Sequence, residues 1–153
     1  MKKDLEARIK NVEDIEEIKK LKSSYIYRIN ERDWDGVLDC FWEDAAVDFG
    51  PFGKFEGQTL KKFFKEDFPP VTTFTLHMTA DPIIEVNGDK AKGKWYMHES
   101  GTWTEGNRAF WCTSKYEDEF VKREGRWRCI FSLITVFYLT PYEEGWAKKR
   151  MMV

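Results

Sequence analysis

The sequence predicts an α+β fold in which N-terminal helices close one side of a strongly curved antiparallel sheet. Three observations carry this prediction. Apolar residues recur at helical spacing up to Pro69, they alternate with polar residues from Thr72 onward, and turn residues separate the alternating segments. The chain has 153 residues, of which 42% are hydrophobic and 16% aromatic, enough for one core and hardly for two. We therefore expect residues 1–153 to form a single domain with a cone-shaped barrel of strands.

The first helix is predicted from an apolar stripe that begins at Leu5 and ends at Ile29, with charged residues on the opposite face. Within this stripe, Asp14 followed by Glu17 resembles an N-terminal capping pair. The helix therefore either runs through this point or restarts at Asp14 and leaves the preceding residues as a separate arm. Tyr25 lies on the buried stripe in both cases.

Three shorter elements follow before the strand-rich half begins. A second helix is expected from Asp33 to Phe41, because the Asp33 side chain can cap its first turn. A short strand is predicted from Ala45 to Phe49, where a Gly-Pro turn at residues 50–53 ends it. A third helix is predicted from Gln58 to Glu66 and ends before Pro69.

The second half of the chain is predicted to be a meander of hairpins, with turns at Asn87-Gly88-Asp89, Glu105-Gly106-Asn107 and Glu124-Gly125. Alternation between Lys92 and Thr104 places Glu99 on the more apolar face of its strand and His98 on the other. In the last strand both faces are apolar from Cys129 to Leu139, so one face should meet the helices and the other a second subunit. We therefore expect a homodimer or a higher homo-oligomer.

The charge balance and the cysteines limit the function classes. Lys and Arg total 25 against 27 Asp and Glu, a net charge of −2. We therefore expect neither nucleic acid nor a membrane as partner, since both call for clustered basic residues. Three widely spaced cysteines without a Cys-x-x-Cys pair predict no metal site. Together with an N-terminus that lacks an apolar signal sequence, they predict a cytoplasmic protein.

His77 is the first candidate for a catalytic residue. It lies in the uncharged run from Val71 to Ala80, and its side chain is the type that titrates near neutral pH. An imidazole on an apolar strand can act as a general base if an acid or an orienting partner reaches it, and Tyr25 and Glu99 are the candidate partners. The alternative is that His77 is a hydrogen-bonded histidine of the core.

The aromatic content predicts a large apolar pocket, an apolar interface between subunits, or both. The chain contains 12 Phe, 7 Trp and 6 Tyr residues, more than a domain of this size usually carries. We expect the walls of a pocket for an apolar cyclic small molecule to come from Phe41, Trp42, Phe49, Trp95 and Trp103. Ordinary core packing is the alternative for most of these side chains.

Short motifs in a fixed order run through nearly the whole chain: Asp14-Ile15-Glu16-Glu17-Ile18, Leu21 to Tyr25, Asp33-Trp34-Asp35, Asp44-Ala45-Ala46, Phe55-Glu56-Gly57, His77, Asn87-Gly88-Asp89-Lys90-Ala91, Lys115-Tyr116-Glu117 and Gly125-Arg126-Trp127. In this order and spacing they resemble the SnoaL-like branch of the nuclear-transport-factor-2-like superfamily. The resemblance implies the cone-shaped fold. It does not imply one activity, because the superfamily includes dehydratases, cyclases, isomerases, dioxygenase small subunits and non-catalytic modules.

Within that superfamily the chain is most similar to the bile acid 7α-dehydratases and the scytalone dehydratases. The resemblance implies catalytic roles for Tyr25, His77 and Glu99, with Asn30 in place of an aspartate at the end of the first helix. Val136 stands near where the bile acid enzymes carry an arginine, which argues against a bile acid conjugate as substrate. An asparagine can still hydrogen-bond an imidazole, although it cannot offset its positive charge.

The expected reaction is the elimination of water from a cyclic or polycyclic hydroxy-carbonyl compound, without metal or organic cofactor. His77 would abstract the proton, Glu99 or Asn30 would fix its tautomer, and Tyr25 would donate to the oxyanion or to the departing hydroxyl. Two alternatives remain open at this stage. One is a non-catalytic binding module or accessory subunit, and the other is a ketosteroid-type isomerase that uses the same base and donor.

Overall fold

The computed structural model describes residues 2–152. The helices are α1 (Lys2–Asn30), α2 (Trp34–Asp39), α3 (Gly57–Lys62) and α4 (Gly145–Lys148). The strands are β1 (Phe41–Asp48), β2 (Lys54–Glu56), β3 (Thr72–Asn87), β4 (Lys90–Trp103), β5 (Arg108–Arg123) and β6 (Arg126–Pro141). A π-helical turn, Phe63–Asp67, continues α3.

All six strands form one curved sheet in the order β2-β1-β6-β5-β4-β3. The predicted meander is confirmed, because β3 to β6 pair in sequence order and antiparallel. One strand pairing departs from the predicted antiparallel sheet, since β1 pairs parallel to β6. Within the described chain β2 and β3 are the two edges of the sheet, so the cone is open and is not a closed barrel. The helices cover its concave face, where the core and a cavity lie.

The first helix is continuous through Asp14, so the alternative with a break at this residue is wrong. Asp14 is 3% exposed. Its carboxylate accepts from the Trp127 indole at 2.8 Å and from Lys122 Nζ at 2.8 Å. Asp14 therefore ties α1 to the last hairpin of the sheet and does not cap a helix.

The apolar stripe of α1 changes its surroundings along the helix. From Ile18 onward it is buried against the sheet, whereas Leu5, Ile9 and Val12 are 54%, 50% and 59% exposed. These three residues share one face, since they are four and three positions apart. The first turns of α1 thus extend past the sheet with an uncovered apolar face.

The shorter elements differ from the prediction mainly at their ends. Asp33 caps α2 as expected, because its Oδ1 accepts from the Gly36 amide at 3.0 Å, and α2 ends at Asp39. The strand predicted from Ala45 begins earlier, at Phe41. The third predicted helix corresponds to α3 together with the π-helical turn. Phe63 and Phe64 of this turn line the cavity.

The outer face of the sheet is rich in exposed apolar side chains. Phe74, Leu76 and Met78 on β3 are 52%, 42% and 52% exposed, and Tyr96 on the neighbouring β4 is 54% exposed. Next to them, Trp146 from α4 stacks on Trp111 and Tyr138, with ring centroids 5.6 and 5.0 Å apart. The C-terminal helix therefore covers part of this outer face and none of the cavity.

Candidate functional site

A cavity of about 230 Å³ lies between the concave face of the sheet, the second half of α1 and the segment from Phe49 to Thr72. Its wall is largely aromatic, with Trp103 and six phenylalanines: Phe49, Phe52, Phe63, Phe64, Phe68 and Phe110. Three of the lining residues, Phe52, Asp67 and Val71, are exposed and mark the mouth. Among the lining residues of the described chain none is Lys or Arg. The cavity therefore suits an uncharged, apolar molecule.

Asn30, the last residue of α1, holds His77 on β3 through three contacts. Its Oδ1 accepts from the His77 backbone amide at 2.7 Å and lies 3.0 Å from His77 Nδ1, and its Nδ2 donates to the His77 carbonyl at 2.9 Å. Because the amide group must donate through nitrogen, the atom facing Nδ1 is an acceptor. His77 Nδ1 must then carry the proton. The neutral imidazole consequently has its lone pair on Nε2.

Glu99 faces that unprotonated nitrogen. His77 and Glu99 are paired across β3 and β4, and Glu99 Oε1 lies 3.5 Å from His77 Nε2, with the two side chains 6% and 12% exposed. Burial, aided by the positive charge of Lys22, lowers the pKa of His77 to about 4. Burial also raises the pKa of Glu99 to about 7. Between about pH 4 and pH 7 the site therefore holds a neutral imidazole base beside a protonated carboxyl group.

Tyr25 from α1 and Tyr116 from β5 line the end of the cavity remote from the mouth. Their rings meet edge to face with centroids 6.3 Å apart, and both residues are buried. Burial raises the pKa of both phenols above the ordinary value, so both keep their protons and act as donors. Tyr25 was expected in the site from the sequence, whereas Tyr116 was not.

A buried ion pair lies behind the two tyrosines. Lys22 Nζ lies 2.7 Å from Asp118 Oδ2 and 3.2 Å from the centre of the Tyr116 ring. The Ser132 hydroxyl donates to the other Asp118 oxygen at 2.6 Å. Since both charges have hydrogen-bonded partners, the pair is tolerated in the core.

Two of the five predicted wall residues line the cavity, namely Phe49 and Trp103. The other three lie elsewhere. Phe41 packs behind Tyr25, with ring centroids 5.7 Å apart, and Trp95 is buried beyond the tyrosines against Phe120. Trp42 lies outside the cavity because its indole donates to the Val121 carbonyl at 2.9 Å. For Phe41 and Trp95 the core-packing alternative describes the structure, whereas Trp42 is half-buried against Arg123 and Arg128.

Sequence reasoning missed the part of the wall that comes from the third helical segment. Phe63, Phe64 and Phe68 were placed only within or after a helix, yet they pack together with centroids 5.1 to 6.4 Å apart and close the cavity. The signal was present as four phenylalanines between Phe55 and Phe68 in a short polar segment. Tyr116 could have been found as well, because residues 112, 114 and 116 lie on the same face of one strand.

Among residues 2–152, His, Cys, Asp and Glu side chains form no group of three or more that could hold a metal ion. In the same part of the chain, no helix combines the length and the apolar character needed to cross a membrane.

Comparison with known proteins agrees with this architecture. A family model described as a SnoaL-like domain matches residues 10–131. Among solved structures, a hexachlorocyclohexane dehydrochlorinase (LinA) of type 2 superposes with a TM-score of 0.83 at 21% identity, covering 88% of this chain and 92% of that one. A scytalone dehydratase-like protein from Novosphingobium aromaticivorans superposes with a TM-score of 0.79 at 20% identity, covering 86% and 89%.

An uncharacterized protein of Mycobacterium tuberculosis is 23% identical over 125 residues, which are 80% of this chain and 84% of the relative. At these identities the likeness to the solved structures concerns the fold. The family model, in contrast, covers most of the chain. The chain therefore belongs to the SnoaL-like domain family.

Proposed function

We propose that the protein is a lyase that eliminates water from a small cyclic β-hydroxy carbonyl compound, using only its own side chains. The observation that carries this proposal is the pairing of His77 with Glu99 inside an apolar cavity. Asn30 leaves His77 Nε2 free to accept a proton, and the buried carboxyl group 3.5 Å away holds one to give. Two groups whose environments push their pKa values apart in this way are suited to act as base and acid.

The reaction balances with these two groups. His77 Nε2 takes the proton from the carbon next to the carbonyl, and the electron pair of that C–H bond becomes the new C=C bond. The C–O bond breaks, and the departing hydroxyl leaves as water with the proton of Glu99. The imidazolium of His77 then returns its proton to the Glu99 carboxylate, which restores the starting state.

Tyr25 is proposed as the donor to the carbonyl oxygen. It lines the cavity together with His77 and Glu99, and its phenol keeps its proton because burial raises its pKa. Negative charge develops on the carbonyl oxygen when the neighbouring carbon loses its proton, and a preorganised donor in a dry site stabilises that charge. Tyr116 beside it supports the orientation of the Tyr25 ring.

The size and lining of the cavity favour a small, uncharged substrate. About 230 Å³ is below the ~300–1,000 Å³ that is usual for small-molecule sites. A compound with one or two rings therefore suits the cavity better than a polycyclic one, which narrows the expectation from the sequence. The names of two structural neighbours, a dehydrochlorinase and a scytalone dehydratase-like protein, also describe eliminations.

The test is turnover of a panel of one- and two-ring β-hydroxy ketones by the wild type and by His77→Ala, followed by the absorbance of the conjugated product. We expect the variant to lose about 10²–10⁴-fold in kcat. His98→Ala is the matched control, because the other histidine of the chain lies on the outer face of β4, beside Thr113 and Trp111. Thermal unfolding of all three proteins separates lost chemistry from lost stability.

The panel should also contain a β,γ-unsaturated ketone, since the same base and donor can move a double bond when no hydroxyl is present. If that ketone is the one compound converted, the protein is an isomerase and the lyase proposal is wrong. If no compound turns over and some bind, the protein is a non-catalytic binding module and the proposal is wrong.

A further inference from the structure

The side-chain hydroxyl of Thr72, at the start of β3, lies buried at the cavity wall. Thr72 is 4% exposed and lines the cavity. Within the described chain its Oγ1 has no hydrogen-bond partner. A buried hydroxyl without a partner is destabilising, so native proteins seldom keep one without a reason.

A β-bulge places Thr72 on the cavity side. Phe74, Leu76 and Met78 point outward from β3, and strict alternation would send Thr72 the same way. The pairing shifts by one residue between Thr72 and Phe74, so that Thr72 is opposite Trp103 while Phe74 is opposite Thr102. Bulges of this kind redirect side chains and are common beside binding sites.

The backbone around Thr72 is held firmly. Arg32 Nη1 donates to the Thr72 carbonyl at 3.1 Å, and the Thr104 amide donates to the Val71 carbonyl at 3.0 Å. The Thr72 Oγ1 atom is itself enclosed in this rotamer. Rotation about χ1 exchanges the positions of the hydroxyl and the methyl group without moving the backbone, and this rotation would turn the hydroxyl to a ligand group in the cavity.

Thr72 and the proposed catalytic pair lie at different depths. Trp103, the partner of Thr72 across the ladder, is four residues from Glu99 along β4, which at ~3.3 Å per residue is about 13 Å. The space between them is bounded by aromatic rings, including the stacked pair of Trp103 and Phe110, whose centroids are 4.6 Å apart. The cavity therefore has a polar inner region, an apolar aromatic middle and, near the mouth, the Thr72 hydroxyl and the exposed Asp67.

We propose that Thr72 is a specificity residue that hydrogen-bonds a hydroxyl or carbonyl oxygen at the end of the substrate remote from the reacting bond. The substrate is then an elongated, uncharged one- or two-ring compound with oxygen functions at both ends. This inference rests on the proposed function in that it places the reacting carbonyl beside His77. The hydroxyl of Thr72 neither gives nor takes a proton in the reaction.

The test compares the binding of two probes, 1-tetralone and 6-hydroxy-1-tetralone, by isothermal titration calorimetry. The two ketones differ only in a hydroxyl remote from the carbonyl. We expect the wild type to bind the hydroxylated probe ~3- to 10-fold more tightly than 1-tetralone. Thr72→Val should lose this preference and bind 1-tetralone as the wild type does, and Thr72→Ser should keep the preference.

Thr73→Val is the matched control, because Thr73 is exposed and lies outside the cavity lining. It should bind both probes as the wild type does. An equal preference in the wild type and Thr72→Val would overturn the inference, and so would a wild type that binds neither ketone. The calorimetric test measures binding and not turnover. Its failure is therefore a separate result from failure of the lyase proposal, which is tested through His77→Ala.

Discussion

Asn30 Oδ1 contacts both the backbone amide and the ring Nδ1 of His77, at 2.7 and 3.0 Å. One uncharged side chain thereby fixes the position of β3 against the end of α1 and the tautomer of the imidazole. A carboxylate at position 30 would make these two contacts and add a negative charge, but it would lose the donation from Nδ2 to the His77 carbonyl. The asparagine therefore keeps the geometry of a base while leaving its pKa low.

The first prediction concerns Asn30→Asp. Because an opposite charge within ~4–6 Å favours the protonated imidazole by about 1–3 pKa units, the pKa of His77 should rise from about 4. The measurement is a titration of the His77 ring by NMR together with the pH dependence of kcat. In the wild type the rate should fall below pH about 4, and in the variant this fall should begin at a higher pH. An unchanged titration would contradict the assigned contact at Nδ1.

The second prediction concerns Glu99 and the alkaline side of the same profile. Glu99 is proposed to act while it holds its proton, so the rate should fall as the pH rises through about 7. Glu99→Gln cannot give a proton and should lose about 10²-fold in kcat, and the fall near pH 7 should vanish from its residual rate. A rate that instead rises through pH 7 in the wild type would show that the carboxylate is the active form.

The third prediction concerns the ion pair between Lys22 and Asp118, whose side chains are 6% and 2% exposed. Lys22→Met leaves a buried carboxylate without its counter-charge and should lower the free energy of unfolding by about 3–5 kcal/mol. Replacing both residues, as Lys22→Met with Asp118→Leu, should recover most of that loss. Urea denaturation measures the free energy of unfolding of the wild type, of Lys22→Met and of the double variant.

The exposed pair of Lys19 and Glu16 on the same helix is the control, with side chains 42% and 54% exposed. Lys19→Met should cost less than ~1 kcal/mol because solvent screens that pair. A Lys22→Met variant as mild as Lys19→Met would argue against the burial of the inner pair.

The fourth prediction concerns the oligomeric state. The outer face with Phe74, Leu76, Met78 and Tyr96 is a contiguous apolar surface, and monomeric proteins rarely expose large patches of this kind. We expect a homodimer in sedimentation velocity experiments, and we expect the double variant Met78→Lys with Tyr96→Lys to be monomeric. Lys20→Glu, an exposed change on α1, should leave the dimer intact. A monomeric wild type would contradict this prediction.

Most of the fold could be predicted from the sequence because its signals are local. The stripe on α1, the capping of α2 by Asp33 and the turns of the meander each depend on residues close together in the chain. Alternation along β4 likewise placed Glu99 inside and His98 outside, as the structure has them. Whether α1 breaks at Asp14 could not be predicted from the sequence, because the partners of Asp14, Lys122 and Trp127, are more than 100 residues away.

The sequence by itself determined which residue types and which strand faces were available for the site, since helical and strand periodicity fix these within each element. Only the tertiary structure decided that Asn30 meets Nδ1 of His77 and that Glu99 meets Nε2, because contacts between elements depend on strand register and on the docking of α1. The same holds for Thr72 inside the cavity and Trp42 outside it. A bulge reverses the alternation at Thr72, and the Trp42 indole donates to a backbone carbonyl on another strand. Neither contact produces a local pattern in the sequence.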